Sequence, residues 1–299
     1  MQVACAAEGA YDAHSAAMLR SAALNGGSRE IHFHYLHGVN FPRRSASRIA
    51  QMARALGTDI TFHEITPERV AGLPVVSQFT AAMWYRIFLP DLLPDVERIL
   101  YLDVDTIVVD SLEPLWGIDL RGRYLGAVTN VFQPNHLHRP ASLGLAGPEA
   151  YFNSGVLLLN LDQMRRDNCT AALFEYAAAR GAELEWPDQD ALNVVLGGRR
   201  LALHPRWNFM NSMSFDSSAK VFGKTALEEA QRRPAIRHFE GPGENKPWNV
   251  RCQREGRELY LEHRRQTPWP RIKLDRNPRR PGTRLVRGLV RIRRRVRPR

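Results

Sequence analysis

Short apolar runs alternate with helix-patterned stretches through the first third of the chain. The runs at 3–7, 31–36, 60–65 and 98–102 are too short for buried helices and read as strands. Between them, 13–24, 46–56 and 80–88 carry helical spacing. Strand and helix in alternation predict an α/β fold with a mostly parallel central sheet flanked by helices, because parallel neighbours require a crossover connection. Helices on both faces of such a sheet explain why its strands are apolar throughout. A further strand is expected at 156–161 and a helix at 173–180. The segment 126–155 before them is loop-rich, with Pro134, Pro140, Gly144, Gly147 and Pro148. No internal repeat is present.

Charge divides the chain. The whole carries 42 Lys+Arg against 31 Asp+Glu, a net charge of +11. Residues 264–299 hold 15 basic residues and one acid, Asp275, which leaves 27 basic and 30 acidic residues over 1–263. The body is slightly acidic, which argues against a nucleic-acid-binding domain. The expected organisation is a catalytic body, 1–263, followed by a basic tail, 264–299. In the tail Leu285, Leu289, Ile292 and Val296 fall at helical spacing among arginines. This pattern predicts a short amphipathic helix on an anionic membrane surface, with a disordered basic tail as the plainer alternative.

The three cysteines, Cys5, Cys169 and Cys252, are widely separated and give neither a disulfide framework nor zinc spacing. The N-terminus lacks the pattern of a secretory signal, and no run approaches the roughly 20 apolar residues of a membrane span. A soluble cytoplasmic body is the expectation.

In open α/β sheets ligands sit beyond the carboxyl ends of the strands. Two strand ends there are polar: Ala6-Ala7-Glu8 and Leu102-Asp103-Val104-Asp105. In extended chain, residues two apart project to one side, so Asp103 and Asp105 can face one ligand. Two adjacent carboxylates repel unless a cation lies between them, and hard divalent ions take oxygen ligands from protein, phosphate and water. The pair therefore points to a metal–diphosphate site, with solvated loop carboxylates as the alternative.

Further motifs follow in order: Tyr85-Arg86, Ser111-Leu112-Glu113-Pro114-Leu115-Trp116, Tyr151-Phe152-Asn153-Ser154-Gly155-Val156, Pro187-Asp188-Gln189-Asp190-Ala191-Leu192-Asn193, Trp207-Asn208-Phe209-Met210, and His238-Phe239 with Lys246-Pro247-Trp248. Over about 3–250 this series resembles the retaining glycosyltransferases of family 8. That group contains glycogenin and the bacterial lipopolysaccharide galactosyl- and glucosyltransferases. The nearest resemblance is to the lipooligosaccharide α-1,4-galactosyltransferases.

The resemblance implies a nucleotide-diphospho-sugar transferase (GT-A-like) fold. It implies that Asp103 and Asp105, with Val104 between them, and His238 hold Mn²⁺, or Mg²⁺, against the diphosphate of a UDP-sugar. Lys246 would add positive charge to the diphosphate, and Arg86 would bind the donor. Ala6, Ala7, Glu8 and Tyr11 would receive the uridine, with Tyr11 stacking on the base; Glu8 stands where Asp is usual. Asn153, Asp188 and Gln189 would surround the donor sugar, Gln189 beneath the anomeric carbon. Asn130 stands where relatives often carry Asp. Trp186, Gln78 and Phe209 would contact the acceptor.

Retaining glycosidases use two carboxyl groups about 5–5.5 Å apart. Here the group at the anomeric carbon is an amide, so the resemblance implies a same-face substitution in which a departing phosphate oxygen takes the acceptor proton. The expected reaction moves galactose, or glucose, from its UDP-sugar to a saccharide or glycolipid acceptor of the lipopolysaccharide core, at the inner membrane face and without nucleic acid. Taken singly, the residues have plainer readings: His238, Tyr11 and Trp186 as core packing, Arg86 and Lys246 as surface cations, and Asp188 as a helix cap. Two other classes stay open, a haloacid-dehalogenase-like phosphatase, suggested by the Asp-x-Asp, and a non-catalytic basic protein binding membrane or nucleic acid.

Overall fold

The computed structural model describes residues 1–276 apart from 28, 29, 76–79 and 272. Seven strands form the central sheet: β1 (Gln2–Ala7), β2 (His32–Gly38), β3 (Asp59–Ile65), β4 (Arg98–Leu102), β6 (Leu125–Thr129), β7 (Phe152–Asn160) and β8 (Arg200–Ala202). Their order is β3, β2, β1, β4, β7, β6, β8. Neighbours are parallel except at β7, which runs antiparallel to both β4 and β6. The expected α/β class and mostly parallel sheet are therefore present.

Alternate residues of each strand feed opposite cores. Val3, Cys5 and Ala7 of β1 and Leu100 and Leu102 of β4 join one cluster. Ala4, Ala6, Ile99 and Tyr101 join the other. Helix α1 (Asp12–Asn25) lies on the first face, with Ala13, Ala16, Ala17 and Ala22 fully buried, so its backbone approaches closely. Helix α2 (Arg43–Ala55) buries only Ile49, Met52 and Ala53 among its apolar residues, as befits an amphipathic surface helix. Helices α3 (Cys169–Arg180) and α4 (Pro187–Leu196) supply Leu173, Ala177, Ala191 and Leu192 to the second cluster.

Three local expectations shift. The run at 80–88 is not an α-helix but a 3₁₀ segment, Ala81–Phe88, buried on every side from Ala82 onward. It has no polar face to lay on solvent. Strand β6 lies inside the stretch read as loop; Gly126 and Ala127 weaken its signature, yet a Cβ at Gly126 would stand 3.1 Å from Leu203, so a small residue packs there. Strand β7 begins at Phe152 rather than 156, because the polar Asn153-Ser154-Gly155 masks its start.

A second, small sheet joins β5 (Thr106–Val108), β10 (Ile236–His238) and β9 (Phe209–Met210) in the order β5, β10, β9. β10 is antiparallel to β5 and parallel to β9. Helix α5 (Arg257–Arg265) then packs on α1. It crosses the boundary expected at 263/264: Arg264 and Thr267 are buried, and Asp275 bridges to Asn249. Residues 277–299, including the expected amphipathic helix, lie outside the described residues.

Candidate active site

The reversal of β7 builds the centre of the site. Leu102 at the end of β4 pairs with Val156, so the opening residues of β7 arrive at the carboxyl end of β4. Asp103 N donates to Gly155 O at 2.8 Å. The small sheet supplies the opposite wall: His238 pairs with Thr106, and Phe239 N donates to Asp105 O at 3.0 Å. Ligand atoms of Asp103, Asp105 and His238 thereby lie within 4.8 Å of one another.

Gly155 makes that approach possible. A Cβ there would stand 2.3 Å from His238 Cε1 and 2.9 Å from both Asp103 Oδ2 and His238 Nε2. The cluster rests directly on a backbone without a side chain, and its two carboxylate oxygen donors and one imidazole nitrogen suit a hard or borderline divalent cation.

Asp105 is 6% exposed and His238 3%. Asp105 Oδ1 lies 3.3 Å from His238 Nε2, and Oδ2 bonds Lys246 Nζ. Burial disfavours the Asp105 charge, but Lys246 and then His238 outweigh it and hold the carboxyl below its usual range. Burial likewise disfavours charge on Lys246 and His238, and Asp105 raises both. His238 Nδ1 is 2.8 Å from Asn208 Oδ1.

Asp103 is held differently. Its Oδ1 accepts from Tyr101 OH and Arg86 Nη2, each at 3.0 Å. Arg86 is not a surface residue; it is 5% exposed. Its Nε donates to Met83 O at 3.2 Å, its Nη1 to Ser154 O at 2.5 Å, and Nη2 also lies 3.3 Å from Asp188 Oδ2. The guanidinium sits 4.3 Å over the Tyr101 ring. Arg86 thus ties the 3₁₀ segment, the ends of β4 and β7, and the start of α4 into one unit. Burial pushes Asp188 up to about 6; Arg86 opposes the rise and Asp103 adds to it.

Gln189 follows in the first turn of α4. Its Oε1 accepts from Ser154 N at 2.9 Å and from Ser154 Oγ at 3.3 Å, and its Nε2 donates to Tyr151 OH at 3.2 Å. Tyr151 OH in turn donates to Asp190 Oδ1 at 2.6 Å, and Arg139 grips the same carboxylate. Asp190 Oδ2 also accepts from Glu185 N and Trp186 N, both at 2.9 Å, so it fastens the start of α4. Asn153 Oδ1 accepts from Gly155 N and Asn208 Nδ2, and Asn153 Nδ2 lies 3.5 Å from Asn130 Oδ1.

Ala6 and Ala7 are buried at the end of β1. Glu8 accepts from Tyr85 OH. Tyr11 remains 37% exposed, held edge-on by Trp248 at 5.6 Å and His14 at 5.9 Å. Trp248 stacks on His14 at 4.1 Å, and His14 Nδ1 meets Tyr260 OH of α5 at 2.6 Å, so the loop carrying Lys246 is anchored on two helices. Val104 is half-buried beside Asp103.

Of the residues expected at the acceptor, Trp186 precedes α4 and Phe209 lies in β9. Trp186 is half-buried, with Phe132, His136 and Tyr151 around it. Phe209 is a core residue in β9, with Arg237 over its ring, and Gln78 lies outside the described residues. Asn208, Tyr101 and Tyr151 belong to the site although no role is legible for them in sequence. Each lies within a recognisable motif, but what matters is a hydrogen bond to a distant side chain.

The sequence profile of Glycosyl transferase family 8 matches residues 2–252. The chain belongs to glycosyltransferase family 8. That membership places it among glycosyltransferases rather than haloacid-dehalogenase-like phosphatases. General stress protein A of Bacillus subtilis is 29% identical over 91% of this chain and 96% of its own length. The lipopolysaccharide 1,2-glucosyltransferase of Escherichia coli is 27% identical over 74% of this chain, which spans 65% of that enzyme. Among solved structures, galactosyltransferase LgtC in complex with donor and acceptor sugar analogs superposes with a TM-score of 0.80 at 29% identity, covering 90% of this chain and 96% of LgtC. The family 8 fold here is GT-A-like, as in LgtC. No helix among the described residues is long and apolar enough to cross a membrane.

Proposed function

We propose that this family 8 glycosyltransferase is a retaining hexosyltransferase that moves galactose, or glucose, from a UDP-sugar to a saccharide acceptor of the lipopolysaccharide or lipooligosaccharide core. The observation that carries the reading is the Asp103–Asp105–His238 cluster on the bare backbone of Gly155. Support for the sugars comes from relatives named as lipopolysaccharide 1,2-glucosyltransferase and, in Salmonella typhimurium, lipopolysaccharide 1,3-galactosyltransferase, and from LgtC.

Asp103, Asp105 and His238 would hold Mn²⁺, with Mg²⁺ as the second choice, since an imidazole ligand suits the softer ion. A bound ion would neutralise the UDP leaving group as a Lewis acid. Lys246, next to Asp105, is placed to add a second positive charge to the diphosphate. Ala6, Ala7, Glu8 and the exposed ring of Tyr11 would receive the uridine, with Val104 and Asn130 completing the donor site.

Asp188 and Asn153 would bind sugar hydroxyls. Both ends of the Gln189 amide are already hydrogen-bonded to protein, so its contribution is a fixed dipole beneath the sugar rather than a mobile nucleophile. This favours same-face substitution, in which positioning and charge carry the rate. Arg86 would bind the donor while it holds Asp103 and Asp188 in place. Trp186 is proposed as the platform for the acceptor, with Gln78 and Phe209 as further proposed acceptor contacts. Residues 277–299 are proposed to hold the enzyme at an anionic membrane surface, on the cytoplasmic face.

The decisive experiment is UDP release across UDP-sugars with and without Mn²⁺. The reading requires turnover with UDP-galactose or UDP-glucose, loss on chelation, and loss in Asp103→Asn with the fold intact. Metal-independent turnover, or an active Asp103→Asn enzyme, defeats it.

A further inference from the structure

A hydrogen-bond chain determines which nitrogen of His238 faces the carboxylates, and it begins at a backbone amide. Gly155 N can only donate, and it donates to Asn153 at 3.0 Å, so the receiving atom is the side-chain oxygen. The same oxygen lies 2.9 Å from Asn208, which must therefore present its nitrogen there. The Asn208 oxygen is then turned to His238 Nδ1 at 2.8 Å, and Nδ1 must carry a proton. The other ring nitrogen, Nε2, faces the Asp105 carboxylate at 3.3 Å, so without a cation it too attracts a proton, and its lone pair is freed only when that proton leaves. Asn208 is fully buried, and neither of its amide atoms can be exchanged without setting like against like at one end.

We propose that Asn208 is a positioning residue: anchored through Asn153 to the Gly155 amide, it holds His238 in the Nδ1–H form with the Nε2 lone pair directed at the metal. The inference rests on the metal reading above, but the tautomer is a property of the metal-free protein and can be measured without it. One consequence is that Asn153, expected to touch the donor sugar, also governs metal affinity. Partners that orient a ligating histidine are commonly worth about 10–100-fold in affinity.

The test combines ¹⁵N-histidine NMR of the full-length metal-free chain, at alkaline pH where the imidazole is neutral, with Mn²⁺ titration by calorimetry. The variants are Asn208→Leu, Asn153→Leu, Asn153→Asp and His238→Ala. We expect the Nδ1–H tautomer in the parent protein and a tautomer mixture in both leucine variants. We also expect Mn²⁺ binding about 10–100-fold weaker in those two variants. Asn153→Asp keeps the accepting oxygen and should retain both the tautomer and the affinity.

An Nε2–H tautomer in the parent protein overturns the proposal even if no variant folds. So does unchanged Mn²⁺ affinity in folded Asn208→Leu. His238→Ala binding Mn²⁺ as well as the parent sinks instead the metal reading on which the proposal rests.

Discussion

Replacing Gly155 with alanine adds one methyl group at the point where three elements meet. The new Cβ would lie 2.3 Å from His238 Cε1, whereas real Cβ contacts essentially never fall below 3.0 Å and ordinary contact begins at 3.4 Å. Something must therefore retreat by about 0.7–1.1 Å. Strand β7 is the less able to move, since it pairs with β4 up to Val156 and Gly155 O accepts from Asp103 N at 2.8 Å. His238 must move instead, away from Asn208 and Asp105, and Asp103 Oδ2 is crowded as well. Displacements of about 1 Å cost on the order of 100-fold in rate, and overpacking a tight core costs about 1–3 kcal/mol. Gly155→Ala should thus fold with a modestly lowered melting temperature, while Mn²⁺ affinity and Mn²⁺-dependent UDP release fall by about 100-fold or more. Calorimetric Mn²⁺ titration beside thermal unfolding reads both. An alanine variant with parental Mn²⁺ affinity would refute the placement of the metal on Gly155.

Four other outcomes are expected. Asp188 is pushed up to about 6, so kcat/KM should rise as pH increases through that value, and Asp188→Asn should flatten this limb while lowering activity throughout; stability shows the opposite sign, since a raised carboxyl pKa favours the fold below the ordinary value of 3.8 and that gain is lost as pH rises through about 6. His14 and His34 are held neutral by burial, each lowered to about 3 from 6.5, so stability should decline as pH falls below about 6.5; denaturant melts in which His14→Asn and His34→Asn together leave that decline unchanged would contradict this. Lys246→Met should lower kcat/KM for the UDP-sugar by about 100–1,000-fold without unfolding the chain, read by steady-state kinetics. Deleting 277–299 should abolish binding to anionic vesicles and spare transfer to a soluble saccharide, whereas truncation after 263 should also lower the melting temperature, because Arg264 and Thr267 are buried.

The strands and the paired carboxylates are legible in sequence because each leaves a local mark. A buried strand must be apolar, and Asp103 and Asp105 stand conspicuously at the end of one. The 3₁₀ segment Ala81–Phe88 is misread because a fully buried run has no polar face whose period distinguishes the two helices. Strand β6 is missed because its small residues answer to Leu203, a contact that no local pattern announces. Arg86 is flagged by its motif, yet only the fold shows its donors satisfied by Met83, Ser154 and Asp103. Asn208 acts on a histidine 30 residues away, and Lys246 on a carboxylate 141 residues away. Partners so remote are chosen by topology.

The pairing of β10 with β5 carries a rule about which changes this chain can absorb. His238 reaches Asp105 because it stands opposite Thr106. Side chains alternate along a strand, so a slip of a single residue would turn His238 away and present Arg237, a cation, to the same carboxylate. The connection from β9 to β10 adds Met213, Leu227 and Ala230 to the core, so length changes there are absorbed only in its exposed turns. An insertion within 236–238 that brings Arg237 opposite Thr106 converts the proposed cation-binding corner into one already filled by its own guanidinium.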